Sequence, residues 1–113
     1  MATASTTPSS APLDVKVVSD GERNTFLLDG ELDVSSAASL LEAAGRTVGA
    51  PQPMTLDLSQ LTFIDSSGIE AILRLRSLAS GLGVSFLLIP GPPAIQRVFA
   101  ITGLRERLPW ARP

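Results

Sequence analysis

Apolar residues in the first half of the chain alternate with polar ones and then change to helical spacing. Leu13–Ser19 has the two-residue period of a strand, and Thr25–Leu28 resumes it after a polar turn, so the sequence predicts a β-hairpin. The acidic run Asp29–Asp33 is expected to lead out of the sheet. A helix is predicted over Ser35–Val48, where apolar residues recur on one face. Its candidate N-caps are Asp33, Ser35 and Ser36.

The second half of the chain alternates strand and helix patterns. The predicted elements are a strand over Met54–Leu58 that resumes at Leu61–Ile64, a helix over Ser66–Ser80, a strand over Val84–Ile89, and a helix that begins at Pro92-Pro93 and ends at Gly103. The order predicts one α/β domain with parallel central strands, a mixed sheet of four to five strands and helices packed on it. The carboxyl ends of such strands share one edge, where open α/β sheets usually hold their functional residues.

The composition excludes most catalytic chemistry. The 113 residues include no cysteine and no histidine, and Lys16 is the only lysine. Thiolate and imidazole metal sites, Ser–His–Asp systems and a P-loop therefore have no residues to form them. We expect a protein that is not an enzyme and that uses neither a metal nor a cofactor. A net charge of −2 argues against a nucleic-acid partner.

The two ends of the chain differ from the middle in composition. Met1–Pro12 is rich in Ala, Thr, Ser and Pro, and it lacks the basic start and apolar centre of a signal peptide. No apolar run approaches the roughly 20 residues of a membrane span. We therefore expect a cytoplasmic protein with a disordered tail over residues 1–12, a domain over residues 13–108 and a short C-terminal tail over residues 109–113.

The most unusual local feature is an apolar strand that leads directly into two hydroxyls. Asp65 is a good helix cap, and Ser67 with Glu70 matches the Ser-x-x-Glu capping box. Those roles leave Ser66 without a structural task, and Gly68 costs stability so early in a helix unless something approaches the backbone closely. A serine nucleophile is excluded because the chain offers no histidine and no nearby lysine as a base.

Three carboxylates at alternate positions form the second candidate site. Asp29, Glu31 and Asp33 would face the same way on an extended segment, and hard cations prefer such oxygens. A polar strand end followed by a helix cap explains the same residues without a ligand. We expect this segment to lie on the same edge of the sheet as Ser66.

Three separated blocks carry a resemblance to a known family. They are Gly30–Asp33, then Leu56–Ser59 with Leu61–Gly68, then Pro93–Phe99 with Thr102–Leu104. In this order they resemble the STAS family, and most closely its bacterial anti-sigma factor antagonists. The likeness runs from about Leu13 to Leu108, and we expect the family's last helix to be missing or truncated.

The resemblance implies a regulatory partner. A member of this family binds an anti-sigma factor that is also a serine kinase of the histidine-kinase-like ATPase type, and this binding frees a sigma factor. The kinase then phosphorylates the serine directly after the aspartate, here Ser66, and so inactivates the antagonist until a phosphatase restores it. The residues expected to shape the partner site are Glu31, Asp33, Asp65, Ser67 and Gly68.

Two other functions stay open from the sequence. One is a STAS scaffold or regulatory subunit of a stress-sensing or lipid-transport complex that does not act on a sigma factor. The other is a small-ligand or nucleotide-binding domain, which the absence of a Gly-x-Gly-x-x-Gly motif and of a P-loop disfavours.

Overall fold

A computed structural model describes residues 12–112. The predicted tail over residues 1–12 therefore lies outside the described residues except for Pro12. The elements follow the predicted order. They are β1 (Asp14–Ser19), β2 (Asn24–Leu32), α1 (Ala37–Gly45), β3 (Met54–Ile64), α2 (Ser66–Leu82), β4 (Phe86–Ile89), α3 (Pro93–Ile101) and a 3₁₀ turn (Arg105–Arg107).

The four strands form one mixed sheet in the order β1-β2-β3-β4. The β1–β2 pair is antiparallel, and its tight turn is held by the Asp20 carboxylate, which accepts hydrogen bonds from the backbone N–H groups of Glu22 and Arg23 at 2.8 and 2.9 Å. β2, β3 and β4 are parallel to one another, which confirms the predicted α/β class. Because the strands are added in sequence order, right-handed crossovers place α1 and α2 on the same face.

The core lies between the helices and one face of the sheet. Along β2 every second residue is buried, and Phe26 pairs in register with Leu56, which in turn pairs with Leu88. Leu40 of α1 and Phe99 of α3 complete this apolar core and are fully buried. The strand positions on the opposite face are half-buried or exposed, apart from Thr55.

The prediction that the chain leaves the sheet at Asp29 is wrong, because β2 continues to Leu32. β3 is likewise one continuous strand rather than two. Its register against β2 shifts between Leu27 and Asp29 and again between Gly30 and Glu31. Each shift places one extra β3 residue opposite β2, so that bulges absorb the polar interruption without ending the strand.

The helix boundaries also differ from the prediction. α1 ends at Gly45, and the following turns leave Val48 40% exposed rather than buried. α2 extends two residues beyond Ser80, to Leu82. Gly83 is its C-cap, and its φ of 72° is left-handed and suits a glycine.

The C-terminal segment from Pro109 packs on the edge of the sheet, where we expected a tail. The backbone N–H of Leu88 donates to the Pro109 carbonyl at 2.9 Å, and Leu88 and Trp110 form a parallel bridge. The Trp110 ring meets Phe99 edge-on, with centroids 5.1 Å apart. This segment protects the edge of β4. Up to Arg112, where the described residues end, no helix follows the 3₁₀ turn.

Candidate functional site

Two strand–helix junctions meet at the carboxyl edge of the sheet. Leu32 and Ile64 are the last paired residues of β2 and β3, and the backbone N–H of Asp65 donates to the Leu32 carbonyl at 3.3 Å. Asp33 and Asp65, which follow these strands directly, therefore lie on neighbouring strands at one edge. The candidate residues from the two separate segments are brought together as expected.

At the β3–α2 junction, the aspartate is the helix cap. Asp65 Oδ1 accepts hydrogen bonds from the backbone N–H groups of Ser67 and Gly68 at 2.9 and 3.1 Å. Its own carbonyl accepts from the Ile69 N–H at 3.0 Å. One side chain thus satisfies two of the donors that a helix start leaves without partners.

The predicted capping box at Ser67 is wrong. A capping box requires its serine at the N-cap, before the first helical residue. α2 begins at Ser66, so Ser67 is already the second residue of the helix and cannot cap it. Aspartate and serine are equally good N-caps, so position decides between them. Asp65 lies between the last residue of β3 and the first residue of α2 and therefore caps the helix.

Ser66 is the first residue of α2, exposed to solvent and without a part in the cap. Asp65 beside it is half-buried. Phe63, which lies two positions before Asp65 on β3, is a large apolar residue that is 46% exposed. The hydroxyl of Ser66 is therefore accessible to another protein, whereas its neighbours hold the junction together.

Gly68 allows α2 to approach the end of β2 closely. A Cβ at this position would lie 2.5 Å from the Leu32 carbonyl oxygen and 2.9 Å from a side-chain atom of Ile64. Real Cβ atoms do not come this close to a backbone oxygen. The glycine early in the helix is thus explained by packing between the two junctions.

At the β2–α1 junction, the hydroxyls are engaged by the backbone and the aspartate. Asp33 Oδ1 accepts from the Ser35 hydroxyl at 2.6 Å and from the Ser35 N–H at 2.9 Å. The Ser36 hydroxyl donates to the Glu31 carbonyl at 2.8 Å and accepts from the Asp33 N–H at 2.9 Å. The hydrogen bond from Ser35 is the main reason why the pKa of Asp33 lies below its ordinary value. Ser36 is the N-cap residue of α1, but its side chain caps no N–H of the helix.

The three alternating carboxylates do not converge on a cation. Asp29 and Glu31 alternate with the buried residues of β2 and so lie on the face away from the core. The Asp33 carboxylate is turned back on Ser35. Within residues 12–112, no group of three or more ligating side chains lies close enough to hold a metal ion. Asp29 and Glu31 are therefore surface residues of β2, and Asp33 belongs to the turn that follows it.

Sequence reasoning missed a groove between α1 and α2 beside the serines. It has a volume of about 280 Å³ and is lined mainly by small and apolar residues, with Glu70 and Arg74 on the α2 side. Val34 contributes to it and is 77% exposed. A single apolar residue between Asp33 and Ser35 in a polar turn was the signal in the sequence.

None of the described helices is both long and apolar enough to cross a membrane.

The fold and this edge define a class of protein. The sequence profile of the STAS domain matches residues 16–112, so the chain belongs to the STAS domain family.

Solved structures of the same fold indicate which members the chain is similar to. An anti-sigma factor antagonist from Mycobacterium paratuberculosis is 27% identical, with a TM-score of 0.77 over 92% of this chain and 91% of the other. The anti-sigma factor antagonist SpoIIAA in its unphosphorylated form is 22% identical, with a TM-score of 0.71 over 88% of each chain. A sulfate transporter family protein from Wolinella succinogenes is 20% identical, with a TM-score of 0.67 over 82% of this chain and 75% of the other.

Proposed function

We propose that this protein is an anti-sigma factor antagonist controlled by phosphorylation of Ser66. In this proposal the unphosphorylated protein binds an anti-sigma factor that is also a serine kinase of the ATPase type, and so releases a sigma factor. The likeness to the mycobacterial anti-sigma factor antagonist, which extends over nine-tenths of both chains, supports this partner class.

One observation supports Ser66 as the acceptor. Asp65 alone caps α2, so the Ser66 hydroxyl is left exposed at the start of the helix. The hydroxyls of Ser35 and Ser36, on the neighbouring junction, are held by hydrogen bonds to Asp33 and to the Glu31 carbonyl. A kinase would have to break those bonds before it could use either of them, whereas the exposed Ser66 side chain takes no part in the cap.

The position of the cap explains how a phosphoryl group would act without refolding the domain. The new group carries about −1.5 to −2 charges at neutral pH. The partial positive charge of the helix start tolerates such a group, so the domain need not refold, although Asp65 already holds the N–H groups of Ser67 and Gly68. The phosphoryl group would lie at the surface, next to Asp65, where a docked partner would have to bury it without a counter-charge.

The required energy is within reach of one buried charge. A thousandfold loss of affinity corresponds to about 4 kcal/mol. Leaving a charged group buried and unpaired costs that much or more. Charge alone is thus sufficient for the switch.

The chain would act as a substrate rather than as a catalyst. With no histidine and one lysine, it offers a hydroxyl, and the base, Mg²⁺ and ATP would belong to the kinase. A separate phosphatase would return the protein to its active form. SpoIIAA, which has the same fold, has also been solved in a phosphorylated form.

The test combines mass spectrometry with binding. The wild-type protein is incubated with Mg·ATP and each purified ATPase-type anti-sigma factor of the source organism, and the modified residue is mapped. We expect the phosphate on Ser66, no modification of Ser66→Ala, and a loss of anti-sigma factor affinity of about a thousandfold in the phosphorylated protein. Ser35→Ala is the matched control, because it removes a neighbouring serine without touching the acceptor, and it should be modified like the wild type.

Three outcomes would contradict the proposal. They are phosphate on Ser67 or Ser35, unchanged affinity after phosphorylation, and binding to no anti-sigma factor of this type. If the purified protein instead bound other STAS chains or a transport subunit, the scaffold alternative would replace it.

A further inference from the structure

The groove between α1 and α2 lies directly beside the proposed acceptor. Ser67 forms part of its wall, one residue after Ser66. On the α1 side it is lined by Val34, Ala38 and Leu41, and on the α2 side by Ala71. Small side chains on two adjacent helices leave a depression into which a ridge of a third helix can pack.

Val34 adds an exposed aliphatic side chain to the groove. The side chain is 77% exposed at the rim of the groove, although it is aliphatic and follows a fully buried strand residue by only two positions. A singly exposed apolar side chain is ordinary surface, but one that continues a concave, mainly apolar wall enlarges the area that a partner can contact.

The area that a kinase must cover extends well beyond the Ser66 hydroxyl. A specific protein–protein interface buries about 800 Å² on each partner, which is far more than one serine offers. A kinase that reaches the Ser66 hydroxyl therefore also covers the neighbouring surface. The groove is the concave, mainly apolar part of that surface. Its described lining includes one acidic and one basic residue, Glu70 and Arg74, which lie four positions apart on α2.

From these observations we infer that the groove is the docking site for a helix of the kinase that phosphorylates Ser66. The helix presents an aliphatic side chain to Val34, Ala38 and Leu41, and a carboxylate to Arg74. This inference rests on the proposed function, since it assigns the surface by which the same partner binds. Arg74 is two helical turns from Ser66 along α2, so the contact with the carboxylate is separate from the contact with the acceptor.

The experiment measures steady-state phosphorylation by the kinase that modifies the wild-type chain. Val34→Ser removes the aliphatic contact, and Ala38→Phe fills the groove at an exposed position without removing any group. Each should raise the KM for this protein by about tenfold or more with kcat unchanged, because only binding is lost. Ile101→Ser is the matched control, since Ile101 is also 77% exposed but lies at the end of α3, and its KM should equal that of the wild type.

The charge contact has its own pair of variants. Arg74→Glu should raise the KM severalfold, with a larger effect at low salt, because a rim charge is screened by ions. Arg97→Glu makes the same change at an exposed position on α3 and should have no effect.

The outcomes separate the two proposals. If Ser66 is phosphorylated but Val34→Ser and Ala38→Phe match Ile101→Ser, the groove proposal is overturned and the proposed function stands. If sedimentation shows that Val34→Ser dissociates a dimer of the wild-type chain while the KM is unchanged, the groove binds a second copy and the proposal is likewise overturned. If no ATPase-type anti-sigma factor modifies Ser66, the proposed function fails and the groove proposal fails with it.

Discussion

The two junctions at the carboxyl edge have nearly the same composition but use it differently. Each has an aspartate followed within three residues by two serines. After β2, Asp33 lies before the turn and holds Ser35, while Ser36 ties the turn to Glu31. After β3, Asp65 is itself the cap and holds backbone N–H groups only. In the first junction both hydroxyls are hydrogen-bonded within the turn, whereas in the second the Ser66 hydroxyl takes no part in the cap.

The difference comes from where the helix begins relative to the aspartate. α2 begins immediately after Asp65, whereas α1 begins four residues after Asp33. Each carboxylate accepts the N–H of the residue two positions on, as in an aspartate turn. In the longer turn Asp33 also accepts from the Ser35 hydroxyl, whereas Asp65 also accepts from the Gly68 N–H. An accessible hydroxyl therefore depends on an aspartate that is fully occupied by the helix backbone.

The first prediction breaks the contact between the two junctions and has the largest expected effect on stability. In Gly68→Ala the new Cβ meets the Leu32 carbonyl, so either α2 or the end of β2 must move. We expect the free energy of unfolding to fall by about 1–3 kcal/mol, as for other overpacked positions. Urea unfolding followed by circular dichroism measures it.

Gly81→Ala is the control on the same helix. No atom lies within 4 Å of a Cβ at that position, so the change should raise stability by about 0.4–1 kcal/mol. If the two substitutions changed stability in the same direction, the close approach at Gly68 would not be the reason for its glycine.

The second prediction tests which residue caps α2. Asp65→Ala removes the acceptor of two backbone N–H groups and should lower the free energy of unfolding by about 1 kcal/mol. Ser67→Ala should change it by no more than about 0.5 kcal/mol, because Ser67 lies inside the helix. Asp65→Asn keeps a capping side chain and serves as the control. A larger loss for Ser67→Ala than for Asp65→Ala would instead support the capping box.

The sequence was sufficient for the architecture and for the position of the edge. Hydrophobic periodicity predicted the order of elements, and parallel strand pairing then placed Asp33 and Asp65 on one edge. The sequence was insufficient for the N-cap of α2, where two local patterns predict different capping residues. A Ser-x-x-Glu pattern at Ser67 and an aspartate cap at Asp65 are both acceptable locally, and the end of β3 decides between them.

Two other features depend on long-range contacts that no local pattern contains. The polar pair after Leu58 suggested a break, but pairing with β2 carries β3 through it by means of bulges. The groove beside Val34 exists only because two helices distant in sequence pack side by side. A periodicity analysis treats each helix alone and so does not detect a surface shared by both.

The third prediction concerns pH and has the smallest effect. Hydrogen bonds from the Ser35 hydroxyl, and then from backbone N–H groups, hold the pKa of Asp33 below its ordinary value of about 3.9. The unfolded chain therefore binds a proton at this carboxyl more readily than the folded one does. The stabilisation is present above the unfolded pKa and is lost as the pH falls through the folded pKa.

Replacing the carboxyl should remove this part of the acid sensitivity. In Asp33→Asn, unfolding free energies measured between pH 6 and about pH 3 should fall less steeply than in the wild type. Ser35→Ala should have part of the same effect, because it removes the hydroxyl that contributes most to the shift. Asp20 also has a lowered pKa, from the N–H groups of Glu22 and Arg23, so some acid sensitivity should persist in Asp33→Asn. An unchanged slope in Asp33→Asn would mean that the β2–α1 junction is held by Ser36 alone, and the contrast between the two junctions would then rest on that one buried hydroxyl.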